Sequence, residues 1–222
     1  MMQRVLITGG SRGIGKAIAE KFREEGYDVT TPTRQELDLL NADSIERYVK
    51  LHEKEGFDII VNNAGINDIN EIQNVTDDEI DRMMVTNLIA PIKLIRGLVG
   101  TMKKNNYGRI VNIASIWAVV SKSGRCVYSA TKNGIHGITN TLAVELAPNN
   151  ILVNTVCPGF TLTELTKKNN TPEEIAAISS DIPMNRMAEP KEIAEVVYFL
   201  CSSKNSYLTG QKIVIDGGYT GK

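Results

Sequence analysis

Val5-Leu6-Ile7-Thr8-Gly9-Gly10-Ser11-Arg12-Gly13-Ile14-Gly15 decides how this chain folds. Val5-Leu6-Ile7 is a short apolar run of strand type, and a glycine-rich turn follows it. Ile14, Ala17, Ile18, Ala19 and Phe22 then recur at helical spacing until Gly26. Strand, turn and amphipathic helix in that order make the first half of a nucleotide-binding βαβ unit. Glycine lets the backbone bend tightly and approach a pyrophosphate, while the helix amino terminus offers free N–H groups and the positive end of its dipole. The expectation is an α/β protein, a doubly wound parallel sheet with helices on both faces.

Working outward, Val29, Asp58-Ile59-Ile60-Val61, residues 109–114, Ile151-Leu152-Val153-Asn154-Thr155-Val156 and Lys212-Ile213-Val214-Ile215 read as further strands. A helix is expected over 44–54, capped by Asp43 or Ser44, with Ile45, Tyr48, Val49 and His52 turned inward. Thr76 and Glu79 form a capping box for a long helix in which polar Asn87 stands among apolar neighbours. Residues 190–201 form another amphipathic helix. Residues 163–187 are polar, with a short helix opening at Thr171-Pro172-Glu173-Glu174. No repeat or low-complexity linker appears, so residues 1–222 are expected to be one domain.

Composition removes several function classes. Lys and Arg number 25 against 26 for Asp and Glu, without a basic block, so a nucleic-acid partner is not expected. No apolar run approaches the ~20 residues of a membrane helix, and the amino-terminal apolar run is too short for a signal peptide. A cytoplasmic location with no membrane partner follows as an expectation. Cys126, Cys157 and Cys201 lie far apart without C-x-x-C spacing, which suggests buried or half-buried free thiols. His52 and His136 have no second-ligand spacing, so no metal is expected.

Residues 112–132 carry the chemistry. Tyr128 and Lys132 stand four apart, on one helical face. An ammonium beside a phenol favours the phenolate and lowers a pKa that starts near ~10, giving an acid or base usable near neutral pH. Ser115 follows an apolar strand, and a hydroxyl at a strand's carboxyl end can hold a substrate oxygen.

The G-x-x-x-G-x-G spacing of Gly9, Gly13 and Gly15 occurs together with Asn62-Asn63-Ala64-Gly65, Asn87, Ser115, Tyr128-x-x-x-Lys132 and Pro158-Gly159. With these motifs in this order over residues 4–218, the chain resembles the short-chain dehydrogenase/reductase family. It is most similar to the branch containing 3-oxoacyl-[acyl-carrier-protein] reductases, enzymes of fatty acid biosynthesis. The resemblance implies a Rossmann fold and a catalytic set of Asn87, Ser115, Tyr128 and Lys132. It also implies a cofactor site of Gly9, Ser11, Arg12, Gly13, Ile14, Gly15, Arg34, Asp38, Leu39, Asn62, Ala64, Gly65, Tyr128, Lys132, Pro158, Gly159, Thr161 and Thr163. Asp38-Leu39 is similar to the family's adenine-contacting pair, yet only Gln35, Glu36 and Leu37 separate it from Arg34. A helical crossover needs about a dozen residues, so six to seven strands are expected with the third short or missing.

No acid ends the second strand; Arg12 and Arg34 suit a 2′-phosphate, so NADP(H) is expected over NAD(H). The implied activity is reduction of a ketone, on a small-molecule or carrier-bound carbonyl, under a substrate lid at about 161–189. Trp117 and Arg125 either line the substrate site, as an aromatic wall and an anion contact, or serve as packing and surface charge. Ala130, Gly134 and Gly137 allow close approach of a neighbouring helix; the resemblance implies that this helix and the one bearing Asn87 pair between subunits, hence a homodimer or homotetramer, the alternative being packing within one subunit. An NAD-linked alcohol or sugar dehydrogenase of the same family is the enzymatic alternative. A catalytically silent nucleotide sensor or scaffold is the alternative of another class.

Overall fold

The computed structural model describes residues 2–222. Its strands are β1 (Arg4–Ile7), β2 (Asp28–Thr30), β3 (Ile59–Asn62), β4 (Gly108–Ile113), β5 (Ile151–Pro158) and β6 (Lys212–Ile215). They form one 6-stranded sheet of order β2-β1-β3-β4-β5-β6, parallel throughout. The helices are α1 (Gly13–Glu24), α2 (Ala42–His52), α3 (Asp77–Met84), α4 (Ala90–Asn105), α5 (Cys126–Leu146), α6 (Glu164–Asn169), α7 (Pro172–Ser180) and α8 (Pro190–Cys201).

Successive strand side chains point to opposite faces. Val5, Ile7, Ile59 and Val61 therefore pack with Ile18 and Phe22 of α1 and Ile193 and Val197 of α8. Leu6, Ile60 and Ile110 pack on the other face with Ile45 of α2 and Leu94, Ile95 and Leu98 of α4. Two cores, one on each face of the sheet, make the doubly wound arrangement that the apolar runs imply.

No strand or helix forms between β2 and α2. Residues 31–41 are a turn instead, in which the Glu36 carboxylate accepts from Thr33 N at 2.7 Å and Leu37 drops into the α2 core. The third strand expected of the family is thus missing, and β2 becomes a sheet edge.

Several local readings change. Asn41, not Asp43 or Ser44, caps α2, accepting from Ser44 N at 3.0 Å. Ser44 Oγ is engaged elsewhere, by Asp38 N at 3.0 Å. Cys126 is exposed rather than buried, because the first turn of α5 turns it outward, whereas Cys157 and Cys201 are buried. Residues Asp77–Asn105 form a helical run long and apolar enough, by length and composition, to cross a membrane, contrary to the expectation of no such run. Its apolarity has a local cause: Leu94, Ile95, Leu98 and Met102 are packed in the core on the sheet. The expected capping box of Thr76 with Glu79 forms, and the short helix at Thr171 opens on another, Thr171 with Glu174.

Candidate active site

The turn after β1 is shaped to receive an anion. Gly9 and Gly13 have φ of 67° and 55°, the left-handed region that glycine adopts without strain. A Cβ on Gly15 would stand 2.2 Å from the Gly9 carbonyl oxygen, so α1 can approach β1 this closely only with glycine there. The first turn of α1 holds no acidic residue, and no side chain caps it, which leaves its N–H groups and dipole end available. A cleft of about 380 Å³ opens over this turn, lined by Gly9, Ser11, Arg12, Gly13, Ile14 and Gly15, and facing Ala64, Gly65 and Thr163. It continues into a cleft of about 370 Å³ whose lining includes Thr31, Thr33, Arg34, Asp38 and Leu39. These residues fit a dinucleotide: glycine cradle for the pyrophosphate, apolar slot at the far end.

The two asparagines after β3 divide their work in a way the motif does not reveal. Asn62 is buried and donates to Asn112 Oδ1 at 2.8 Å inside the sheet, away from the cleft. Asn63 ties down the glycine turn, its Nδ2 donating to the carbonyls of Thr8 at 3.0 Å and Gly9 at 3.1 Å. Thr8 Oγ1 returns the tie by accepting from Ala64 N at 3.1 Å. Ile66 and Thr86 belong to the cleft region without having been singled out by sequence, and Asn63, Thr31 and Thr33 join it from stretches that the sequence marked without giving these three residues a role. Pro158, Gly159 and Thr161 line neither cleft: Gly159 N donates to Ile215 O at 2.8 Å and Thr161 Oγ1 to Gly159 O at 3.1 Å. Thr163 lines the cleft while its hydroxyl caps α6.

Lys132 and Asn87 meet beside Gly65, and Tyr128 with Ser115 adjoins Lys132. Ser115 stands just beyond the carboxyl end of β4, buried, its Oγ accepting from Trp117 N at 3.3 Å. Lys132 is buried on α5, and its Nζ donates to Ile113 O, at the end of β4, at 2.9 Å. It lies 5.5 Å from the Tyr128 ring centroid. A Cβ on Gly65 would stand 3.3 Å from both Lys132 Nζ and Asn87 Oδ1, so the bare glycine is what lets the cleft reach this group. Asn87 sits in a π-helical turn, Val85–Ile89, between α3 and α4, a distortion common at functional sites. Its side chain is fully engaged, accepting from Ile66 N and donating to Ile66 O, both at 2.9 Å, and to Thr131 Oγ1 at 3.2 Å.

The electrostatics differ from the sequence expectation. Burial raises the pKa of Tyr128, against a hydrogen bond from Ser115 and the Arg125 charge that lower it; Lys132 is not what lowers it. Burial instead depresses Lys132 itself, to about 8. The reason is geometric: Nζ turns to the Ile113 carbonyl, with the Tyr128 ring beside it.

Trp117 is buried and meets Phe160 and Tyr219 edge-on, at centroid distances of 6.1 and 6.5 Å. This wall joins three distant segments, so nothing local in sequence marks it. In the 161–189 segment, α6 and α7 form, and Ile182 and Met187 are buried. On α5, Gly134 would place a Cβ 3.0 Å from Leu88 of the same chain, so this glycine serves packing within the subunit. Gly137 faces open space and Ala130 is exposed.

Fold and site together define a nucleotide-dependent oxidoreductase, and the chain belongs to the short-chain dehydrogenase/reductase family. Residues 31–220 match the family described as "Enoyl-(Acyl carrier protein) reductase" and residues 3–47 the "short chain dehydrogenase" family. The chain is 36% identical to the 3-oxoacyl-[acyl-carrier-protein] reductase FabG of Vibrio cholerae, over 96% of this chain and 95% of that one. The solved structure "ElxO with NADP Bound" superposes with a TM-score of 0.93 at 30% identity, covering 100% of both chains. "4-hydroxyisoleucine dehydrogenase complexed with NADH" superposes at 0.92 with 29% identity, covering 99% of both.

Proposed function

We propose that this chain reduces a ketone to a secondary alcohol with NADPH, on a 3-oxoacyl thioester or a similar small carbonyl. The observation that carries the reading is Lys132 Nζ beside Gly65, a residue that also lines the glycine-cradled cleft, with the Tyr128 ring centroid 5.5 Å from that Nζ and Ser115 hydrogen-bonded to Tyr128. Gly9, Ser11, Arg12, Gly13, Ile14 and Gly15 hold the pyrophosphate, and Lys132 holds the neighbouring ribose. The bound dinucleotide supplies the hydride. Ser115 donates a hydrogen bond to the substrate carbonyl and stabilises the oxyanion that develops on it. Tyr128 gives its proton to that oxygen, and its raised pKa keeps it protonated at neutral pH, the form that reduction needs. Lys132, near neutrality in its titration, passes a proton inward from the π turn around Asn87.

NADPH is favoured by Arg12 and Arg34 and by the lack of an acid at the end of β2. ElxO, bound to NADP, is in keeping with it. The NAD-linked alternative also has support: Arg34 Nε already donates to Asp38 Oδ2 at 3.4 Å, and one close structural relative holds NADH. A homodimer or homotetramer fits the uncovered face of α4 and α5, where Ile92 and Val144 are exposed.

The test is a carbonyl panel followed by NADPH absorbance, with dissociation constants for NADPH and NADH. Tyr128→Phe is expected to lower kcat by at least about 10²–10⁴-fold while leaving the NADPH dissociation constant within a few fold. Undiminished turnover in that variant removes Tyr128 from the acid's role, and tighter binding of NADH removes the NADP(H) assignment.

A further inference from the structure

Arg125, the residue before α5, is an unexplained charge beside Tyr128. It is half-buried, and its Nε and Nη1 are sealed from solvent without a hydrogen-bond partner. No carboxylate faces it among the described residues; burial lowers its pKa, and only the Tyr128 hydroxyl acts in the opposite sense. The guanidinium carbon lies 5.9 Å from the Trp117 ring centroid. Arg125 and Ser129 line an open cleft of about 490 Å³ that shares no residue with the two nucleotide clefts. Ser129 Oγ is also buried and unpartnered. The one acid lining this cleft, Glu71, accepts from Gln73 Nε2 at 2.8 Å instead.

A desolvated guanidinium with no anion is destabilising, and a carboxylate or phosphate relieves it through charge-assisted, forked hydrogen bonds. We propose that Arg125, with Ser129 beside it, binds a negatively charged oxygen group carried by the carbonyl substrate, so that the preferred substrates are small anionic ketones. The inference rests on the reductase reading and narrows it. Trp117 is buried behind the guanidinium rather than lining the cleft, and its indole reports on what Arg125 binds.

The sequence contains a single tryptophan, which makes Trp117 fluorescence a readout independent of turnover. The probes are acetoacetate (a carboxylate), dihydroxyacetone phosphate (a phosphate) and methyl acetoacetate (neutral). At least one charged probe is expected to change the emission saturably and to bind about tenfold or more tighter than the ester, the scale of one charge-assisted hydrogen bond. The better of the two identifies the anion. The kcat/KM ratio of charged to neutral ketone is expected to follow, to collapse in Arg125→Gln, and to recover in part in Arg125→Lys. Equal binding of ester and anions by the unaltered protein, or an undiminished preference in Arg125→Gln, overturns the subsite. Reduction of ester and anions with equal efficiency removes the subsite and leaves the reductase; anion binding with no ketone reduced removes the reductase and leaves the subsite. Comparing charged and neutral probes on the unaltered protein keeps the test decisive should the Gln variant fail to fold.

Discussion

At the Gly65 end of the nucleotide cleft, Asn87 makes three hydrogen bonds with its side chain, Lys132 Nζ is tied to the Ile113 carbonyl, and both residues are buried. At the Leu39 end, Arg34 has 76% of its side chain exposed and meets Asp38 in a single contact at 3.4 Å, on a loop held by its own short-range bonds. The first end is over-determined, since a buried polar group must find a partner or lose about 1–3 kcal/mol. The second end is a surface, where an ion pair contributes ~0–1 kcal/mol and can be rearranged by a ligand. The contrast separates what chemistry requires to be rigid from what cofactor preference can adjust.

For nucleotide affinity, the largest effect is expected at the glycine turn. Gly15→Ala forces a Cβ onto the Gly9 carbonyl at 2.2 Å, and overpacking of this kind destabilises by about 1–3 kcal/mol. We expect nucleotide binding to fall by more than about tenfold, the worth of ~1.4 kcal/mol, in calorimetric titration. Unchanged affinity would mean that the turn is not the cradle.

Lys132→Met tests the buried charge. The folded pKa falls from 10.5 to about 8, so between these values the unfolded chain binds more protons than the folded one. Stability of the unaltered protein therefore rises as pH climbs from about 8 towards 10.5, and the penalty is fully present below 8. A shift of this size corresponds to roughly 3 kcal/mol. Urea unfolding without nucleotide should show the Met variant more stable at pH 7, with the gap closing as pH rises. Parallel curves would contradict the buried-charge account.

The smallest effects belong at the open end. Arg34→Ala should change stability by less than about 0.5 kcal/mol, because its one ion pair is exposed. It should narrow the preference for NADPH over NADH by about tenfold, the loss of one charge-assisted contact. An unaltered ratio of the two dissociation constants would shift the 2′-phosphate reading to Arg12 alone.

Some of this was legible in the chain because the signals are local. The strand, turn and helix from Val5 to Phe22, the capping pair Thr76–Glu79 and the helix opening at Thr171 each rest on neighbours within a few positions. The missing third strand followed from the brevity of the segment between Arg34 and Asp38. The division of labour between Asn62 and Asn63 was not legible: their partners lie 50 and 55 residues away, and either side chain suits either role. Nor did the spacing of Tyr128 and Lys132 disclose that the ammonium binds a strand carbonyl, because helical periodicity sets which face a side chain shares and not where its end group turns.

By itself, then, the sequence determined the layered α/β architecture, the glycine turn and the residue types of the candidate site, since periodicity, backbone freedom and capping act over a few residues. The tertiary structure alone decided which groups are desolvated and which are paired: Lys132 depressed, Tyr128 raised, Arg125 Nε and Nη1 buried without a hydrogen-bond partner. Burial and pairing depend on atoms brought together from distant segments, and those set the strength of every charge in the site.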